Sequence, residues 1–120
     1  MQEKDKTGQK AKSIEDLVKE NQAKLPDWKE RHKTVKSILV MSKFNGPQPY
    51  IIGKPTAYML DAIRKYEADG KPSKSQELLK NSCVLAGDTT LFSQDVDLEN
   101  AVMNKVADLL ERLEVEEKEL

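Results

Sequence analysis

Apolar and polar residues alternate along this chain with two different periods. Ile14, Leu17 and Val18 fall at helical intervals, and Leu25 continues the stripe seven residues beyond Val18. Ser13, followed three residues later by Asp16, supplies an N-cap for this helix, and Pro26 predicts its end near Lys24. Asp27 is then placed to cap a second short helix, DWKERHK, with Trp28, Arg31 and His32 sharing one face. From Thr34 the period changes to two. Val35, Ser37, Leu39 and Met41 would line one face of a strand, and Lys36, Ile38, Val40 and Ser42 the other. The sequence Phe44-Asn45-Gly46-Pro47-Gln48-Pro49 predicts a reversal into a short strand at Tyr50-Ile51-Ile52. The two strands form a hairpin over about 34–53, which cannot be stable without helices against it.

Helical spacing returns after Pro55. Thr56 caps a predicted helix over 57–69 with Met59, Leu60, Ile63 and Tyr66 on one face, stopped at Asp69-Gly70. Ser73 with Gln76 has the capping-box pattern and predicts a helix over 74–86, with Cys83 inside its apolar end. Gly87-Asp88 ends it, and Leu91 and Phe92 turn inward in the connector. Asp95 or Asp97 caps a last helix, about 96–117, whose stripe is Leu98, Val102, Val106, Leu109 and Leu113. The expected fold is α+β and mostly α: four to five helices, one small β-hairpin and a long C-terminal amphipathic helix. Residues 13–120 form one small domain. Residues 1–12 carry four lysines and no large apolar side chain after Met1, and are expected to be a disordered tail.

Composition narrows the function classes. The chain has 120 residues, 34% of them charged, and a formal net charge of −1, so no overall basic excess drives binding to nucleic acid or anionic membrane. Neutrality is an average over unlike pieces. Residues 1–33 hold nine bases and seven acids, residues 34–92 eight and five, and residues 93–120 three and nine. The acids of residues 114–120 sit where the helix macrodipole disfavours them, so that end should fray. No apolar run is long enough to span a bilayer, and no apolar signal-peptide core follows Met1. A cytoplasmic setting follows as an expectation. One cysteine makes no internal disulfide, and one histidine makes no two-histidine metal site.

The motifs of common chemistries are missing. There is no H-E-x-x-H, C-x-x-C, G-x-S-x-G or dinucleotide fingerprint. Gly53-Lys54 lacks the glycine run of a phosphate loop, and Pro55 follows its lysine. Counted from Asp88, positions three, five and six of a calcium loop are Thr90, Phe92 and Ser93, so the acids there read as caps. His32 has no local nucleophile or carboxylate to serve as a base. No catalytic residue, cofactor or metal is expected.

Trp28, Lys29, His32, Pro55, Leu78, Leu79, Asn81, Cys83, Gly87, Asp88 and Asp95 follow one another in an order that resembles a group of small proteins from phage and prophage tail gene clusters of Bacteroidetes-type bacteria. That group is similar to tail assembly chaperones. The resemblance spans about residues 28–115 and omits the N-terminal extension. It implies a small, mainly helical, non-enzymatic protein that binds the tape-measure protein and keeps it soluble until the tail tube forms around it. It brings no catalytic or cofactor residue. On this reading the protein-binding candidates are Trp28 and the exposed parts of the stripe of Leu98, Val102, Val106, Leu109 and Leu113. For Trp28 the residues by themselves favour the edge of a small core over an interface anchor. Two other functions compete. One is a general interaction or regulatory module, self-associating through its last helix. The other is a weak nucleic-acid binder using the basic N-terminal arm.

Overall fold

A computed structural model describes residues 12–110 and 116–120 of the chain. Five helices and a three-stranded antiparallel sheet follow in the order α1 (Ile14–Glu20), α2 (Leu25–His32), β1 (Val35–Ser42), β2 (Gly46–Gly53), α3 (Ala57–Ala68), α4 (Pro72–Cys83), β3 (Val84–Ala86) and α5 (Val96–Asp108), with a 3-10 turn at Thr89–Ser93. The expected class, α+β and mostly helical, is the class observed.

The first two helices divide differently from the expected pattern. Ser13 and Asp16 form a complete capping box, each side chain accepting from the other's backbone N–H. The helix then ends at Glu20, not Lys24, because the Asn21 side-chain amide donates to the Leu17 carbonyl at 2.8 Å and takes it from the ladder. Pro26 stops nothing. It lies in the first turn of α2, where its missing N–H costs nothing and its φ is already helical. Asp27 is inside that helix and pairs with Arg31 instead of capping it.

Strand order is β1-β2-β3, and the hairpin register runs from Val35 opposite Gly53 to Ser42 opposite Gly46. Gly46 takes a φ of +71° at the reversal, a value that a residue with Cβ rarely adopts. The strand β2 is longer than Tyr50-Ile51-Ile52 and includes both prolines. The register explains why. The Lys54 N–H donates to the Thr34 carbonyl at 2.9 Å, so the even-numbered cross-strand pairs exchange hydrogen bonds and the odd-numbered pairs point theirs outward. Pro47 and Pro49 are odd-numbered, so the ladder to β1 loses no donor.

Two cores follow from the two faces. On the even face, Tyr50 and Ile52 are buried with Cys83, Phe92, Leu98, Val102 and Val106, and Ile38 and Val40 pack against them. On the odd face, Ile51 is buried with Leu17 and Trp28, and Val18, Leu25, Val35 and Leu85 pack around them. The sheet thus lies between α5 and the shorter helices α1 and α2.

The expected helix over 74–86 is two elements. It begins earlier, at Pro72, with no side-chain cap, so Ser73 and Gln76 do not form the capping box. Its end is strand β3, where Val84 pairs with Ile52 and Ala86 with Ile51. The β-branched Val84 and the open side of β2 favour pairing over another helical turn. The sheet therefore has three strands, not the two of a hairpin. α3 lies along α4, tied by Ser75 Oγ donating to the Ile63 carbonyl at 3.2 Å, and none of its residues is fully buried. Asp95 is the cap of α5, accepting from the Leu98 N–H at 3.1 Å. The helix ends at Asp108, short of 117, and residues 116–120 are exposed without regular structure. The expected disorder over residues 1–12 falls outside the described residues except at Lys12, whose Nζ pairs with Glu20 at 2.9 Å.

Candidate functional site

The residues that sequence spacing nominated for partner binding are mostly interior. Leu98, Val102 and Val106 fill the larger core, and Leu109 is half-buried against it. Trp28 closes the smaller core on Leu17 and Ile51. This corrects the expectation of a docking stripe on the last helix. An amphipathic helix must bury its apolar face somewhere, and here the sheet takes it. Leu113 lies outside the described residues.

His32 is also structural. Its ring is buried, and Nδ1 lies 2.9 Å from the Lys54 carbonyl, to which it donates. It packs directly on Gly53, where a Cβ would come within 2.7 Å of the ring. Its Nε2 has no hydrogen-bond partner among the described residues. Burial pushes the Cys83 thiol up to about 11, which keeps it protonated and unreactive. Asp88 accepts from the Thr90 N–H at 3.1 Å and caps the 3-10 turn. Among the described residues, no three of His, Cys, Asp and Glu are grouped to hold a metal ion.

Asp95 holds more than its helix. One carboxylate oxygen accepts from Ser42 Oγ at 2.6 Å and from Asn45 Nδ2 at 2.9 Å, which anchors the hairpin tip to the start of α5. These hydrogen bonds, with Ser42 first, hold the carboxyl below its ordinary value of 3.8. A depressed folded pKa means that the unfolded chain binds the proton more readily. Stability supplied by this carboxylate is therefore present above the ordinary value and lost as pH falls through the folded one. Asp95→Asn should lower the melting temperature by several degrees at pH 6. That gap from wild type should narrow as pH falls below 3.8, measured by circular dichroism melts.

What remains for a partner is the sheet. β1 is an edge strand of eight residues with no proline. By the same register, the backbone N–H and C=O groups of Val35, Ser37, Leu39 and Met41 point away from β2. The side chains of that odd set are covered only near Val35, where α1 and α2 pack. Toward the tip, Leu39 is 45% exposed, Met41 70% and Phe44 83%. A recess of about 160 Å³ opens beside the covered end, lined by Val18, Leu25, Lys29, Val35, Lys36 and Ile51, among others. Among the described residues, a row of backbone groups with no hydrogen-bond partner thus runs past one apolar recess and the exposed Leu39 and Met41.

The opposite side of the sheet is guarded. β3 covers β2 only at Ile51 and Ile52. Beyond it, the outward positions are Pro47 and Pro49, which have no N–H to offer. An open groove of about 650 Å³ lies there, with Leu17, Asn21, Pro49, Leu85 and Gly87 in its walls. Its carboxylates are engaged, Glu20 with Lys12 and Asp88 with Thr90.

No family model, no curated protein and no solved structure matches the chain. Sequence spacing placed Leu39 and Met41 on one face with Val35, but did not single them out. The usable signal was a strand apolar on both faces, with only a short helix to cover one of them.

Proposed function

We propose that this chain is a non-enzymatic assembly chaperone that binds a protein partner at the open edge of β1. The observation that carries this reading is the edge itself: backbone groups without a partner among the described residues, beside exposed Leu39, Met41 and Phe44 and an apolar recess. An exposed apolar strand edge is a liability for a protein with no partner, since it templates aggregation. The order of residues from Trp28 to Asp95 that resembles phage tail chaperones supports a tape-measure protein as the partner, held soluble in the cytoplasm until the tail tube polymerises. Of these residues, Trp28, His32, Cys83 and Asp95 are buried, so what they carry is the fold and not the contact surface. No helix among the described residues is long and apolar enough to cross a membrane.

Co-expression with a tape-measure protein tests the reading. The soluble share of the partner should rise about fivefold, as follows from covering an apolar segment worth about 1 kcal/mol. Equal insolubility with and without this chain would remove the chaperone function. The same edge also suits a general adaptor, which a pull-down recovering some other protein and no tape-measure protein would favour.

A further inference from the structure

We infer that the partner is taken as an extended segment, with acidic and aliphatic residues in alternation, which adds to the sheet as a fourth strand along β1. This rests on the reading above that β1 is the contact surface, and it specifies the conformation and chemistry of what binds there.

The backbone sets the conformation. Strand addition needs a row of free donors and acceptors at a two-residue repeat, and Val35, Ser37, Leu39 and Met41 supply one. A helical partner would leave those groups unpaired, and covering them without partners costs about 1–3 kcal/mol each. The other edge shows what closure looks like in this same sheet. Pro47 sits opposite Met41 and Pro49 opposite Leu39, and both remove the outward donor at their position. β1 carries no such device.

The side chains set the chemistry. Alternate residues of an added strand lie about 6.7 Å apart on one face. Successive ones on the odd face would meet the recess between Val18, Leu25 and Val35, then Ser37, then Leu39, then Met41. Three of these four contacts are apolar. The exposed charges along it are of one sign: Lys29 and Lys36 line the recess and Lys43 follows the strand, while the Asp95 carboxylate at the tip is buried and already accepts from Ser42 and Asn45. Residues that alternate with the aliphatic ones are therefore best acidic. The same lysines disfavour a second copy as occupant. A symmetric antiparallel pairing centred on Leu39 sets Lys36 opposite Ser42 and Lys43 opposite Val35 of the other copy, which gathers the lysines of both copies along one seam with no acid of either strand to offset them.

The probe is an eight-residue peptide alternating Glu with Val or Leu, titrated into the full chain. Two controls accompany it, one with Lys in place of Glu and one with a central proline. The acidic peptide should bind at micromolar Kd, weaken about tenfold at high salt, and slow hydrogen exchange at the Ser37, Leu39 and Met41 amides. Leu39→Pro should weaken it about tenfold or more. The ladder to β2 tolerates proline at that register position, as Pro49 opposite it demonstrates. Should that variant not fold, the double variant Lys29→Glu, Lys36→Glu leaves the backbone alone and should reverse the preference in favour of the Lys peptide.

The inference is overturned by equal binding of the two charged peptides. It is also overturned by binding that leaves the three β1 amides unprotected, or by no binding at about 1 mM. Dimerisation of the chain that Leu39→Pro abolishes would make a second copy the occupant and equally overturn it. The two readings fail separately. Capture of a tape-measure protein equally by wild type and Leu39→Pro removes the strand addition and keeps the chaperone. Peptide binding with no solubilised tape-measure protein does the reverse.

Discussion

Gly87→Ala is expected to cost about 3 kcal/mol or more, enough to unfold much of a small domain's population at 37 °C. Two effects combine. The backbone at Gly87 has a φ of +118°, which side chains with a Cβ rarely adopt. The added Cβ would also lie 2.3 Å from Tyr50 Cδ1 and 2.8 Å from the Pro49 carbonyl oxygen. Neither neighbour has room to yield. Pro49 is in the sheet, and the Tyr50 ring is fully buried, 5.6 Å from the Phe92 ring centroid. The Tyr50 hydroxyl donates to the Asp88 carbonyl at 2.8 Å, and burial with nearby Asp88 and Asp95 pushes it up to about 12, so it stays a donor. Gly46→Ala is the comparison. Gly46 has a φ of +71° but nothing within 4 Å of its Cβ position, so only the backbone strain of about 1 kcal/mol applies. Urea unfolding of the two variants should separate the contributions. Equal losses would mean that the contact with Tyr50 relaxes freely.

Leu98→Ala should destabilise the fold by about 2–5 kcal/mol, whereas Leu39→Ser should change stability by no more than about 0.5 kcal/mol. Leu98 is buried in the larger core on the first turn of α5, and truncation leaves a cavity between α5 and the sheet. Leu39 is nearly half exposed on the edge strand and holds little together. Their effects on binding should run the other way. Leu39→Ser should weaken capture of a partner, while Leu98→Ala should reduce it only through the folded fraction, and recover when a stabilising osmolyte is added. Denaturant midpoints and pull-downs on the same pair of variants measure this crossing. A loss of capture by folded Leu98→Ala, with Leu39→Ser unaffected, would return the contact surface to the last helix.

The pair also marks how far the site was legible. Leu98, Val102 and Val106 have the strongest helical periodicity in the chain, and periodicity identifies a face that must be covered. It does not say whether a partner or the chain's own sheet covers it. Leu39 and Met41 were placed on the correct face by their period of two. Their exposure depends on how far α1 and α2 reach along that face, and those helices pack only around Val35 and Ile51. The prolines carry the same lesson. Pro26 starts a helix, and Pro47 and Pro49 lie inside a strand, because each falls where its missing N–H has no partner to lose. That condition depends on register, and for the strand the register is set by tertiary pairing.

The class of the fold, the hairpin, the caps at Ser13 and Thr56, a cap at either Asp95 or Asp97, and which side chains share a face can all be read from the chain alone. These are short-range matters of period, capping and turn chemistry. Only the tertiary structure shows that Val84 to Ala86 leave the helix for the sheet, that the last helix turns its stripe inward, and that β1 keeps an open edge among the described residues. Spacing limits which residues can lie on one face. Packing between distant segments decides which faces are covered, and so which surface is left to meet another protein.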